Sequence, residues 1–171
     1  ADALFYLDAY EKSVIAVGKA AQDRPFESRA EVSIKLSALH PRYEVANVER
    51  VIAELGPKVL AIAEHAKSLN VAVTIDAEEV DRLEISLRIF ESVYQQLSDY
   101  QGFGLVVQAY QKRALKVLEW LAELSQEHGR LIPVRLVKGA YWDTEVKRAQ
   151  EEGLSHYPVF TRKVNTDVSY I

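Results

Sequence analysis

The sequence predicts an α/β chain of repeated strand–helix units, of the (β/α)8 TIM-type barrel class, with about the first four units present. Three observations carry this. Short apolar β-rich runs alternate with longer helical stretches four times in succession, at intervals that imply a parallel sheet with right-handed crossovers. The runs are short and largely apolar, as expected of strands covered on both faces. Each ends on a polar side chain: Lys35, Asp76, Gln108, and Arg135 with Lys138. In a barrel those ends converge on one face, where barrel enzymes carry their chemistry. The rival doubly wound sheet lacks its fingerprint, since no Gly-x-Gly-x-x-Gly follows any run.

The elements come in this order. Residues 2 to 20 mix Leu4, Phe5, Leu7, Ile15 and Val17 with charges at helical spacing, with Gly18 weakening the last turn. Gln22 to Ser28, around Pro25, reads as a loop. Val32–Ser37 is the first strand, and Val45–Leu69 a long helix dented at Gly56–Pro57. Val71–Ile75 and Val80–Leu97 form the second pair, Gly104–Val107 and Arg113–His128 the third. Pro133–Val137 and Thr144–Glu152 form the fourth, and a further helix begins near Asn165. Pro133 suits the first position of a strand, where no ladder donor is needed. A full barrel takes about 250 residues, so the 171 residues are expected to form one partial barrel domain behind a leading helix.

Composition excludes several classes. The 21 basic and 25 acidic residues give a net charge of −4 with no basic patch, which argues against nucleic-acid binding by this segment. There is no Cys, hence no disulfide, thiol catalysis or Cys-ligated metal. The histidines, His40, His65, His128 and His156, are not spaced as a metal pair, and no metal site is assigned. His65 and His128 are read as lying on solvated helix faces, and His40 in a loop before Pro41. No run approaches the ~20 apolar residues of a membrane-spanning helix, and no secretory signal is visible.

The candidate chemistry lies at the strand ends. Lys35 in an apolar run either reaches solvent or serves as an anion-binding or Schiff-base lysine. Asp76 at a strand tip can pair with a cation or an amine, whereas Glu78 and Glu79 are read as helix N-terminal acids. Gln108 either bridges strands or bonds a heteroaromatic ring edge. Arg135 needs an anion, whether an internal carboxylate such as Asp76 or a glutamate, or a cofactor. The segment Lys138-Gly139-Ala140-Tyr141-Trp142 combines small residues that admit a ligand with aromatic surfaces that can stack, and Asp143 reads as a helix N-cap. Thr161, Arg162 and Lys163 can hold phosphate at a helix start or form a solvated turn.

Longer motifs carry a resemblance. Ser33-Ile34-Lys35-Leu36-Ser37-Ala38-Leu39-His40-Pro41-Arg42-Tyr43, Ile75-Asp76-Ala77-Glu78-Glu79 and Val107-Gln108-Ala109-Tyr110-Gln111-Lys112-Arg113 resemble the first three barrel strands of the proline dehydrogenase family, as found in bacterial proline-utilisation proteins. Arg135 to Asp143 and Tyr157 to Lys163 resemble the fourth strand and the segment after it. The resemblance implies oxidation of L-proline to Δ1-pyrroline-5-carboxylate on noncovalent FAD, with electrons passed to quinone, in a cytoplasmic protein whose parent is peripheral at the inner membrane. It implies that Lys35 binds the proline carboxylate, that Asp76 orders the pocket, and that Ala140 and Tyr141 line it. Gln108 and Arg135 would contact the flavin ring. The backbone of Val137, Lys138, Gly139 and Ala140, the Trp142 ring, Thr161 and Lys163 would hold the rest of FAD. The family's second barrel half, with a substrate-binding Arg pair, is expected elsewhere in the parent chain, and the activity of this fragment alone stays open. Two other readings stay open beside it: a Schiff-base barrel lyase using Lys35 or Lys138, and a non-catalytic half barrel.

Overall fold

A computed structural model of the chain describes residues 2–21, 25 and 29–171. The loop expected over 22–28 lies outside the described residues apart from Pro25. Among the described residues seven α-helices and four strands alternate in the expected rhythm. They are α1 (Asp2–Ala20), β1 (Glu31–Ile34), α2 (Leu36–Leu39), α3 (Val48–Ser68), β2 (Ala72–Ile75), α4 (Leu83–Gln96), β3 (Phe103–Gln108), α5 (Ala114–His128), β4 (Val134–Val137), α6 (Trp142–Glu151) and α7 (Lys163–Tyr170). The strands form one sheet in the order β1-β2-β3-β4, every pair parallel. Sequential neighbours joined by helical crossovers are what a barrel wall requires.

The period-2 alternation of each strand divides the sheet into two faces. Val32, Ile34, Val73, Ile75, Phe103, Leu105 and Val107 belong to the apolar core that the sheet shares with α3, α4 and α5. Phe90 of α4 stacks on Phe103 with centroids 5.0 Å apart, and on Tyr94 at 5.7 Å, geometry worth about 0.5–1.5 kcal/mol per pair beyond area burial. The intervening residues Ser33, Thr74 and Arg135, with Lys35 and Asp76 just past their strands, carry the polar groups of the other face. Gly104 is the tight point of the sheet. A Cβ there would sit 2.4 Å from the Pro133 carbonyl oxygen, the atom that accepts the Leu105 amide.

Three expectations are corrected. The first strand ends at Ile34, not Ser37, because residues 36–39 turn into α2 and bury Leu36 and Leu39 at i,i+3. The long helix begins at Val48, after a 3-10 turn at Val45–Asn47, rather than at Val45, and Pro57 lies inside it. The buried stripe Val51, Leu55, Val59, Ile62 and Ala66 continues through it, and this packing outweighs the lost amide. Asp143 is not the N-cap of α6; Tyr141 holds that position and Asp143 lies in the first turn.

Candidate functional site

Three of the charged residues singled out at the strands, Lys35, Asp76 and Arg135, meet. Lys35 follows β1 and forms the N-cap position of α2 with extended backbone; its amide donates to the Tyr10 hydroxyl of α1 at 3.0 Å. Asp76 follows β2 and extends the ladder, its amide donating to the Ile34 carbonyl. Asp76 Oδ2 lies 3.3 Å from Lys35 Nζ, and Oδ1 accepts from Arg135 at 2.5 Å. Arg135 crosses the polar face of the sheet to donate also to Ser33 Oγ at 2.8 Å and Glu31 Oε1 at 3.2 Å. The reading of Arg135 as partnered by Asp76 and a glutamate thus holds in this structure. Its side chain remains 43% exposed, leaving room for a ligand. Burial opposes charge on Lys35, yet the Asp76 carboxylate more than offsets it and holds the ammonium above the ordinary lysine value.

Gln108 ends β3 and is buried. Its Nε2 donates to the Glu78 carbonyl at 2.9 Å and its Oε1 accepts the Ala140 amide at 3.0 Å. The amide therefore ties the loop after β2 to the loop after β4, the bridging role among the two considered for it.

Two clefts converge on Lys138 and Gly139. The first, of about 290 Å³, is lined by Lys35, Asp76, Ala77, Val106, Gln108, Arg135, Val137, Lys138, Gly139, Ala140 and Tyr141. The second, of about 410 Å³, is lined by Tyr110, Lys138, Gly139, Trp142, Thr161, Lys163 and Thr166. All twelve residues predicted for the site fall in one cleft or the other. Gly139 makes the junction possible. Its φ is +135°, and a Cβ would stand 2.3 Å from the Tyr110 ring. The Trp142 indole donates to the Phe160 carbonyl at 2.9 Å, which fixes the ring while leaving it 43% exposed.

Several groups that shape the site escaped the sequence reading. Glu78 and Glu79 do not cap the helical segment that they precede. The Glu78 carboxylate accepts the Ser37 amide and Arg82, each at 3.0 Å, and Glu79 at the N-cap of the 3-10 turn Val80–Arg82 makes no side-chain cap bond. The cap comes from Glu145, wholly buried on α6, which accepts the Val80 amide at 2.7 Å and Arg148 at 2.9 Å. Burial pushes the Glu145 carboxyl above its usual value, against the Val80 amide and Arg148. Asp167 accepts from Lys138 and Lys163, each at 2.6 Å. The Lys163–Asp167 contact is an i,i+4 pair and was legible as one; Lys138 reaches it from another loop.

His40 sits at the C-cap of α2, buried, bonded to Glu54 at 3.0 Å and accepting the Arg42 amide at 3.1 Å. The Arg42 contact makes Nδ1 the acceptor and Nε2 the hydrogen-bearing nitrogen. His128 packs edge-on against Tyr94. Among the described residues no group of three or more His, Asp or Glu is placed to hold a metal ion, and no helix is long and apolar enough to cross a membrane.

Comparison with known proteins agrees with this geometry. The sequence profile of the proline dehydrogenase family matches residues 1–171. The bifunctional protein PutA of Salmonella typhimurium is 49% identical over 173 residues, covering all of this chain and 13% of that protein. PutA of Rhizobium meliloti is 51% identical, again over all of this chain and 14% of that protein. Proline dehydrogenase 1 of Bacillus subtilis strain 168 is 37% identical over 81 residues, 47% of this chain and 24% of that protein. A crystal structure of Bradyrhizobium japonicum PutA, mutant D779W, superposes with a TM-score of 0.97 at 50% identity, over 99% of this chain and 18% of that one. PutA from Bdellovibrio bacteriovorus, inactivated by N-propargylglycine, gives 0.91 at 27% identity, over 99% of this chain and 19% of that one. The chain thus spans about an eighth of the length of the PutA proteins it matches and shares the TIM-like barrel fold of their structures over that span. With its profile match from end to end and its four parallel β/α units, the chain belongs to the proline dehydrogenase family.

Proposed function

We propose that these residues form part of the active site of an FAD-dependent proline dehydrogenase, which oxidises L-proline to Δ1-pyrroline-5-carboxylate and passes the electrons to a quinone. The observation that carries the reading is the Lys35–Asp76–Arg135 cluster, just past β1 and β2 and within β4, set in a cleft that shares Lys138 and Gly139 with a second one lined by cations, hydroxyls and an indole.

The donor set fits the cofactor. Lys138 and Lys163 with the Thr161 and Thr166 hydroxyls suit a pyrophosphate and its sugars, and the exposed face of Trp142 suits an aromatic ring. FAD, when bound, supplies the two-electron acceptor for the hydride that leaves the proline ring carbon beside nitrogen. The chain's own residues do the rest. Lys35, held charged, pairs with the proline carboxylate. Asp76 keeps Lys35 and Arg135 converging from opposite sides of the cleft. The Arg135 cation, partly exposed, would stabilise negative charge on a reduced flavin held beside it. Ala140 and Tyr141 close the pocket wall beside it. A quinone acceptor is met at the membrane surface, with the protein cytoplasmic and peripheral there.

The Schiff-base alternative is weakened by the two lysines it needs. A nucleophilic lysine requires a depressed pKa. Lys35 is instead raised through Asp76 despite its burial, and Lys138 is raised first by its hydrogen bond to Asp167.

The test is an absorbance spectrum of the complete polypeptide that carries these residues, after incubation with FAD and desalting, followed by anaerobic L-proline. Retained flavin bands that bleach with proline support the reading. A colourless protein, or flavin that proline leaves oxidised, overturns it for this chain.

A further inference from the structure

We infer that Glu78 is the positioning residue for Lys35, supplying in trans the helix cap that a lysine cannot supply for itself. The inference rests on the proposed role of Lys35 in holding the proline carboxylate. Lys35 occupies the N-cap position of α2, where the first turn presents unpaired amides. Ser, Thr, Asp or Asn normally fills that position, because its side-chain oxygen accepts one of those amides. An ammonium has donors only, and α2 has no cap bond from its own N-cap side chain.

The missing acceptor arrives from the next loop. Glu78 Oε1 takes the Ser37 amide at 3.0 Å. Its Oε2 is held by Arg82 at 3.0 Å, and its backbone carbonyl by Gln108 at 2.9 Å. The Glu78 side chain is only 6% exposed, so its carboxylate is committed to this contact. On the other side of Lys35, the Tyr10 hydroxyl holds its amide. The backbone that carries the ammonium is thus pinned on both flanks, and Glu78 sits two residues beyond Asp76 on the same loop. One segment therefore fixes both the lysine and its carboxylate partner.

Because the carboxylate of proline is bound alike in ground and transition states, loosening Lys35 acts on KM and spares kcat. The experiment compares Glu78→Gln and Glu78→Leu with the wild type in the complete polypeptide that carries these residues, loaded with FAD. Proline-dependent flavin reduction is followed at varied proline, and binding of a non-oxidisable cyclic carboxylate by its flavin difference spectrum. Glu78→Leu is expected to raise KM and the carboxylate Kd together by about tenfold, the scale of a sub-ångström misplacement, with kcat within twofold and flavin content unchanged. Glu78→Gln keeps an amide-accepting oxygen and restores both values to within about threefold. A flavin-loaded Glu78→Leu protein with wild-type KM and Kd overturns the inference, as does a loss confined to flavin content or kcat, or a Gln variant no better than Leu. A wild type whose flavin proline does not reduce overturns the underlying reading instead, and is recognised before any variant is compared.

Discussion

Asp76 divides its carboxylate between two cations, with Oδ2 3.3 Å from the Lys35 ammonium and Oδ1 2.5 Å from the Arg135 guanidinium. The two partners come from β1 and β4, the outer strands of the four, so a single acid links the flanks of the sheet. The Lys35 pKa is raised despite burial because of Asp76. A raised lysine contributes stability that is complete below its unfolded value and is lost only as pH rises through the higher folded value. Lys35 is therefore fully charged through the neutral range. In Asp76→Asn burial remains and the compensating charge goes, so the lysine pKa falls. The expected outcome is an alkaline limb of kcat/KM for proline that moves to lower pH in the variant, with wild type flat through neutral pH. A pH–rate series on both proteins checks this, and coincident profiles contradict it.

Two glycines predict opposite signs. Gly139→Ala places a Cβ 2.3 Å from the Tyr110 ring at a φ of +135°, and is expected to cost at least ~2 kcal/mol from backbone strain and steric overlap together. Gly56 lies within α3, with nothing within 4 Å of the point where an alanine methyl would sit. Gly56→Ala is expected to stabilise by about 0.5–1 kcal/mol through helix propensity alone. Urea denaturation of the two variants and wild type measures both.

Glu145 predicts a pH signature in stability. Burial raises its folded carboxyl above the ordinary value of 4.5. Between that value and the folded one the native state holds the extra proton, so this group's contribution falls as pH rises across the window. Glu145→Gln keeps an acceptor for the Val80 amide and carries no titration. The variant is expected to gain relative to wild type as pH rises above 4.5 and through the raised folded value. Glu145→Leu, which strands the Val80 amide and leaves Arg148 with Asp81 and Glu152, is expected to be about 2–4 kcal/mol less stable than Glu145→Gln at every pH. Denaturant midpoints at a series of pH values separate the two.

Lys163 predicts a cofactor effect without a catalytic one. It is highly exposed and shares Asp167 with Lys138, so its contact with a phosphate is screened and worth about 1 kcal/mol. Lys163→Ala is expected to raise the Kd for FAD about fivefold and to leave kcat at saturating FAD unchanged. Quenching of flavin fluorescence on titration gives the Kd, and an unchanged value removes Lys163 from the cofactor cleft.

The strands, their order and the strand-end residues were legible because each obeys a local rule: apolar runs ended by a polar residue, and helices with a repeating apolar stripe. The features that were not legible depend on partners distant in sequence. The turn of chain at Leu36–Leu39 is too short to show helical period, and its cap lies 41 residues on, in Glu78. Glu145 stands in a charged stretch that reads as a solvated face, yet it is buried because the Val80 amide 65 residues earlier requires an acceptor. The fate of Gln108 turned on the same kind of fact. Its residue type permits either bridging or ligand contact, and only the positions of Glu78 and Ala140 show where its hydrogen bonds go.

The strand order, in which each new strand pairs with the one before it, has a consequence for synthesis on the ribosome. As the chain emerges, each strand finds its neighbour already in place, and no strand must be inserted between two others. Lys35 and Asp76 can meet once β2 has docked. Arg135 arrives about sixty residues later and is the last of the three to join. Completion of the trio therefore marks the docking of the fourth strand, and the nascent chain acquires its pocket only at the end of this stretch of translation.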